Sequence, residues 1–233
     1  MFFYDYCQLL WSNHGYNTIV DKKALLVWDG WEGHKPELFS KIVAEWLQEE
    51  KANFQIVEGV GVYDDLEKLM EYDLIVQSVT QSELSKSQEY NLIEAVKSGV
   101  SIAGAHGGIV DAFRKSTKYQ FMIGGQWVAH PGGLVDFDIE ILEDELTACI
   151  ENFSIKTEQY YIHFDPSVEI IAQTRFSGEP YKWIEDVVMP VAWKKSYGEG
   201  KVFFISVGHD PNEFIKHPQA WKLLTRGLIW ASN

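Results

Sequence analysis

The chain has 233 residues, with 34 acidic against 20 basic side chains and a formal net charge of −14. That length supports a well-buried core. The charge argues against nucleic acid or an anionic membrane surface as the main partner. No run approaches the ~20 apolar residues of a membrane-spanning helix, and no signal-peptide pattern opens the chain, so a cytoplasmic protein is expected. Cys7 and Cys149 match no C-x-x-C or zinc-ribbon spacing and read as buried or incidental thiols.

Residues 1–22 are a polar-aromatic lead-in without clear periodicity. They read as an N-terminal arm, compatible with a homo-oligomer contact, ahead of one domain over 23–233. Ala24–Trp28 is a continuous apolar run, expected as a strand buried on both faces. Pro36 suits the first turn of a helix reaching Leu47, with Phe39, Ile42, Val43 and Trp46 on one face. Phe54–Val57 reads as a second strand, Asp64-Asp65 opens a short helix, and Asp73–Ser78 is a third strand. A helix over Ser85–Lys97 ends at Gly99, and a fourth strand runs from Val100 to Ala105. Such alternation predicts right-handed βαβ units and a parallel sheet with helices on both faces.

The second half is less regular. A loop is expected after Phe113, and the stretches around His130 and over Glu158–His163 read as irregular. Leu134–Leu142, Val168–Thr174, Val187–Trp193 and Lys201–Val207 read as strands, with Tyr197–Gly200 a hairpin turn. Pro218–Ala231 is an amphipathic closing helix.

The strongest chemical signal is Gly104-Ala105-His106-Gly107-Gly108, directly after the fourth strand. A strand running into a glycine-rich turn resembles a nucleophile elbow. Here the presented side chain is an imidazole, able to act as base, acid or metal ligand but rarely as a lasting nucleophile. In an open parallel sheet, ligands bind beyond the carboxyl ends of the strands. His34 follows the first strand, His106 the fourth and His209 the last, so all three are expected at one rim.

His106 and His209 are candidate catalytic acid and base, with Glu158 orienting or tuning one of them. His34, His106 and His209 are candidate ligands for zinc or another divalent metal, although no local metal motif is present. His34, Trp31, Trp127, His130, Tyr160 and His163 are candidate substrate-binding residues. Trp and Tyr faces suit a flat ligand such as a sugar ring. Trp127 and Trp183, taken singly, read better as core or interface residues than as functional ones. His14 and His217 read as surface residues.

Several motifs recur in a fixed order: Trp31-Glu32-Gly33-His34, the His106 elbow, Gly124-Gly125 with His130-Pro131, Glu158-Gln159-Tyr160-Tyr161, Met189-Pro190-Val191-Ala192-Trp193, Gly198–Phe203 and Gly208-His209-Asp210. With Thr225–Ala231 at the end, the order resembles the ThuA-like (trehalose utilisation) family from about Lys23 to the C-terminus. The resemblance implies a class I glutamine-amidotransferase-like fold, a flavodoxin-like α/β sandwich with a mostly parallel central sheet and added antiparallel strands. It also implies a role in trehalose-related or keto-sugar metabolism, with a small carbohydrate as partner. Amidotransferases of that fold carry a Cys at the elbow. His106 stands there in this chain, so a glutaminase is not expected. The alternative to a sugar-modifying enzyme is a non-catalytic sugar-binding or regulatory protein on the same scaffold.

Overall fold

The computed structural model describes residues 18–233. The expected arm over 1–22 therefore lies mostly outside the described residues. The first half alternates β1 (Lys23–Gly30), α1 (Pro36–Glu49), β2 (Asn53–Glu58), α2 (Leu66–Leu69), β3 (Leu74–Thr80), α3 (Lys86–Lys97), β4 (Ser101–Ala105) and α4 (Gly107–Val110). There follow α5 (Thr117–Ile123), β5 (Gly125–Ala129), β6 (Leu134–Ile141), β7 (Phe153–Glu158), β8 (Tyr161–Phe164), β9 (Glu169–Arg175), β10 (Val188–Tyr197) and β11 (Gly200–Ile205). The chain closes with α6 (Asn212–Lys216) and α7 (Pro218–Ser232).

Nine strands form one sheet in the order β2-β1-β3-β4-β11-β10-β9-β6-β7. The β2, β1, β3, β4 and β11 members pair in parallel. From β11 outward every pairing is antiparallel. β5 and β8 form a separate antiparallel pair. The expected α/β architecture holds, with its antiparallel strands on one flank.

Strand alternation divides the core. Leu26, Val76 and Ala103 face α1 and α7, packing against Phe39, Val43, Leu224 and Leu228. Leu25, Val27, Ile75 and Ile102 face α3 to α5, packing against Leu92, Val96, Ile109 and Met122. Successive side chains of a strand point to opposite faces, so a strand buried on both must be apolar throughout. Local chemistry agrees with this. Pro36 occupies the first turn of α1, and Ser85 with Gln88 forms a capping box at the start of α3. Asp65 caps α2 by accepting from the Lys68 amide.

Three expectations need correction. The stretch after Phe113 is not simply a loop, because α5 and β5 form there. Glu158–His163 is not irregular: β7 ends on Glu158 and β8 begins at Tyr161. These strands are short, and β7 lies at the sheet edge, so their apolar alternation is weak. Cys149 is not a thiol but disulfide-bonded; Cys7 lies outside the described residues. No helix among the described residues is long and apolar enough to cross a membrane.

The α7–sheet contact leaves no room at Gly227. A Cβ built there would lie 2.2 Å from Phe203 Cζ, and Phe203 is fully buried. In an exposed helix, Gly→Ala stabilises by about 1 kcal/mol. At this site overpacking outweighs that gain, and Gly227→Ala is expected to lose roughly 1–3 kcal/mol in urea unfolding. An increase in stability would contradict this packing account.

Candidate metal centre

The elbow is strained as a presented side chain requires. His106 has φ 52° and ψ −141°, a conformation disfavoured for a residue with a side chain. Its amide donates to Ile205 O at 2.8 Å, tying the turn to β11. Beneath it the buried Gln77 amide donates to Gly108 O (2.9 Å) and to the Tyr119 hydroxyl (2.6 Å). Tyr63 donates back to Gln77 Oε1 at 3.0 Å. The start of α4 is thus held from below by a satisfied polar network.

Four side chains converge on this turn. His34, His106, Glu158 and His209 each offer a donor atom, and these atoms all lie within 4.8 Å of one another. Glu158 Oε2 is the hub. It stands 3.1 Å from His106 Nε2, 3.3 Å from His209 Nδ1 and 3.9 Å from His34 Nε2. The other carboxylate oxygen faces His130 Nδ1 at 3.7 Å. His34, His106 and Glu158 are buried.

Close backbone approach makes the cluster fit. A Cβ on Gly107 would lie 2.5 Å from His34 Cε1 and Nδ1, so only glycine leaves room for that ring. His34 Nδ1 meets the Thr80 hydroxyl at 3.2 Å. The His209 loop is clamped by the buried Glu213 carboxylate, which accepts from the Gly208 amide (3.0 Å) and the Asp210 amide (3.2 Å). Lys35 reaches across to Asp210 at 2.8 Å, joining the His34 and His209 loops.

Tautomers follow from partners. His106 Nδ1 lies 2.7 Å from Ser206 O, a carbonyl that can only accept. The proton therefore sits on Nδ1, and a neutral ring turns its Nε2 lone pair toward the Glu158 carboxylate. Two lone pairs at 3.1 Å repel unless a proton or a cation stands between them. His209 Nδ1 is close to the carboxylate yet is not aligned for a hydrogen bond. It is one of three unpartnered buried polar atoms gathered here, with Trp127 Nε1 and His130 Nδ1.

Electrostatics separate the members. Burial pushes the His34 imidazole down to about 3, aided by the neighbouring His106, so His34 stays neutral. Burial alone would raise Glu158, but contacts from His106 and His209 outweigh it and hold the carboxyl well below the usual range. Contact with that carboxylate raises His209 above its ordinary value. Burial, then the Glu158 charge, pushes the Tyr160 phenol far up.

Aromatic rings line the cluster. Tyr160 stacks on His106 with ring centroids 4.1 Å apart. Trp31, half exposed, meets His34 edge-on at 4.7 Å. Trp127 lies 5.7 Å from His130 and 6.4 Å from Tyr160, with the Arg114 guanidinium over its ring. All the expected site residues thus meet at one rim except His163. That side chain is exposed on β8, outside the cluster. Sequence reasoning missed Thr80, Ser206, Glu213 and the Lys35–Asp210 link. Thr80 ends a parallel strand, so the rim rule could have found it; Ser206 acts through its backbone and leaves no signal in residue type.

The family model described as ThuA, trehalose utilisation, matches residues 23–231. The chain belongs to the ThuA family. A ThuA-like protein from Bacteroides uniformis ATCC 8492 superposes with a TM-score of 0.75 at 18% identity, covering 92% of this chain and 91% of that one. A second, from Parabacteroides merdae ATCC 43184, gives 0.72 at 16% identity, covering 91% and 90%. The cytoplasmic protein STM1381 from Salmonella typhimurium LT2 gives 0.63 at 11% identity, covering 90% of this chain and 97% of that one. At these identities the likeness is one of fold. A search of curated protein sequences returns no match.

The titration pattern sets how this chain is expected to respond to acid with no ion bound. Between its unfolded value near 6.5 and its folded value of about 3, His34 is protonated only in the unfolded chain. Unfolding then takes up a proton, so stability falls as pH drops through this window, by up to about 1.4 kcal/mol per pH unit. Glu158, with its depressed folded value, adds to the loss below about 4.5. Chelator-treated wild type is expected to show this slope in denaturant unfolding from pH 6.5 to 5. His34→Gln is expected to flatten it, and equal slopes would contradict a buried neutral His34.

Proposed function

We propose that the protein is an enzyme of carbohydrate metabolism. It holds zinc or another divalent ion on His34, His106, His209 and Glu158, and acts on a sugar or keto-sugar. The observation that carries this reading is the donor set itself: His34, His106, Glu158 and His209 each offer a ligand atom, all within 4.8 Å of one another, and the His209 Nδ1 among them is buried and unpartnered.

The residues fit a divalent ion chemically. Three imidazoles and one carboxylate are borderline-to-hard donors suited to zinc and its neighbours. Ligands about 2.0–2.1 Å from a tetrahedral ion lie about 3.3 Å apart. The three separations from Glu158 Oε2, 3.1, 3.3 and 3.9 Å, bracket that spacing. The second ring nitrogen of His106 donates to a carbonyl, the usual way of fixing a ligand ring.

A bound ion would supply Lewis-acid polarisation of a sugar oxygen. The chain's own groups divide the remaining work. Glu158 stays anionic and His34 neutral, as ligands must be. His130, part-exposed and with its Nδ1 buried and unpartnered, is placed to take or return the proton of a substrate hydroxyl, while the Glu158 Oε1 charge 3.7 Å away favours the protonated ring. Trp127 Nε1 can only donate, and a sugar oxygen would satisfy it. Trp31 offers an exposed face to a sugar ring, while Tyr160 excludes water behind His106. The family's description supports the substrate class. An imidazole in place of the elbow thiol argues against glutamine hydrolysis.

The test is metal content by mass spectrometry of protein purified without tag or chelator, with turnover on disaccharides and their keto derivatives. Near-stoichiometric ion is expected in wild type and in His163→Asn. His106→Asn and Glu158→Gln are expected to lose most of it, together with activity. Sugar turnover in protein that takes up no ion would instead leave His106 and His209 as an acid–base pair. A sugar bound tightly and never altered would favour a binding protein.

A further inference from the structure

The rim beside the metal centre carries an arginine that the cluster does not use. Arg114 lies three residues beyond Asp111, which directly follows α4 and is 2% exposed. The Asp111 carboxylate accepts from Arg114 Nε on one oxygen and from Nη2 on the other, the latter at 2.9 Å. It also accepts from Gln81 Nε2 at 3.2 Å. The Gln81 amide donates to Asp111 O and the Ser82 amide to Ala112 O, both at 2.9 Å. Asp111 is therefore fixed between the end of β3 and the end of α4. Gln81 adopts a left-handed backbone, φ 55°, where it makes these contacts.

The same two elements present the cluster. Thr80, the residue before Gln81, meets His34 Nδ1, and α4 starts from His106. The guanidinium is held on its face as well. Its centre lies 4.7 Å over the Trp127 ring, and that ring is 5.7 Å from His130 and 6.4 Å from Tyr160. Burial and the Glu158 charge dominate the raised Tyr160 phenol, and Asp111 and Arg114 act on it next. The pair is thus within electrostatic reach of the ring that stacks on His106.

A guanidinium has five N–H donors. Asp111 takes one on Nε and one on Nη2, and the others have no hydrogen-bond partner among the described residues. They form the outer fork of a group whose orientation is already set, on a side chain 43% exposed. Such a fork matches a carboxylate bidentately. On the ring that the guanidinium covers, Trp127 Nε1 is a buried donor without a partner. The neighbouring cations Lys115 and Lys118 are engaged by Glu83 and Glu89. One guanidinium already shared with Asp111 suits the single charge of a carboxylate better than the near-double charge of a phosphate.

We propose that Arg114 binds a carboxylate of the substrate, so that the site takes a sugar acid. The sugar reaches the His cluster and its carboxylate lies on the outer fork of Arg114. The proposal rests on the carbohydrate reading above. Asp111 and Gln81 are positioning residues that set the fork.

The test uses the full chain as purified, with glucuronate, glucuronamide and glucose as probes in calorimetry. Glucuronamide keeps the shape of the acid and lacks its charge. Wild type is expected to bind glucuronate about 10-fold more tightly than glucuronamide or glucose. Arg114→Gln is expected to abolish that preference, and Arg114→Lys, a charge without a fork, to keep only part of it. The ratio is the readout because a pocket merely loosened by losing the Asp111–Arg114 pair would weaken acid and amide alike. An unchanged preference in Arg114→Gln would overturn the proposal, since the carboxylate would then sit elsewhere in the site. So would equal binding of glucuronate and glucuronamide by wild type, a comparison that needs no variant and leaves the carbohydrate reading standing. Arg114-dependent binding of succinate by a chain that binds none of the three sugars would overturn the carbohydrate reading and keep the carboxylate site. No binding of any probe would overturn both.

Discussion

A carboxylate removed from water is stable only beside compensating charge or hydrogen bonds, and Glu158 meets that condition by gathering imidazoles. Four histidines face its two oxygens from loops far apart in sequence. Much of the surrounding architecture keeps those rings in place. The elbow bends sharply to bring His106 over the sheet, Gly107 gives way to His34, and Glu213 braces the loop that carries His209. Each support acts on a different element, so the cluster depends on the whole rim of the sheet and not on any short motif.

The same constraint separates this site from the thiol chemistry that the elbow suggests. An imidazole held by a carbonyl on one nitrogen and facing a carboxylate with the other has no freedom to attack a substrate. It is set up to hold a proton or a cation at one point. Neutral His34, anionic Glu158 and an unpartnered His209 nitrogen make a cation the better complement, and the aromatic walls beyond them suit a ligand with flat apolar faces and many hydroxyls. The proposed chemistry lies with the ion and proton transfer at His130, on a scaffold whose fold alone would not define it.

Much of this was legible in the sequence. Continuous apolar runs such as Ala24–Val27 and Leu74–Val76, short and bounded by turn residues, fit doubly buried parallel strands, and their regular alternation with helices points to the rim where His34, His106 and His209 meet. Glu158 could be named but not placed. It ends an edge strand whose short alternation carries little signal, and its approach to the rim depends on the antiparallel flank. His163 sits close in sequence to Tyr160, yet one strand alternation turns it outward. Supports made by backbone groups, such as Ser206 O and the Gly208 amide, have no counterpart in residue type and appear only in three dimensions.

The central claim is that these four side chains share one ion. An anomalous-scattering map from crystals of the zinc-loaded protein, collected on both sides of the zinc absorption edge, tests it most directly. The account predicts a single strong peak bonded to His34, His106, His209 and Glu158, at the ~2.0–2.2 Å distances of nitrogen and oxygen ligands. No peak among those residues, with His106 Nε2 instead joined to Glu158 by an ordinary hydrogen bond, would contradict it.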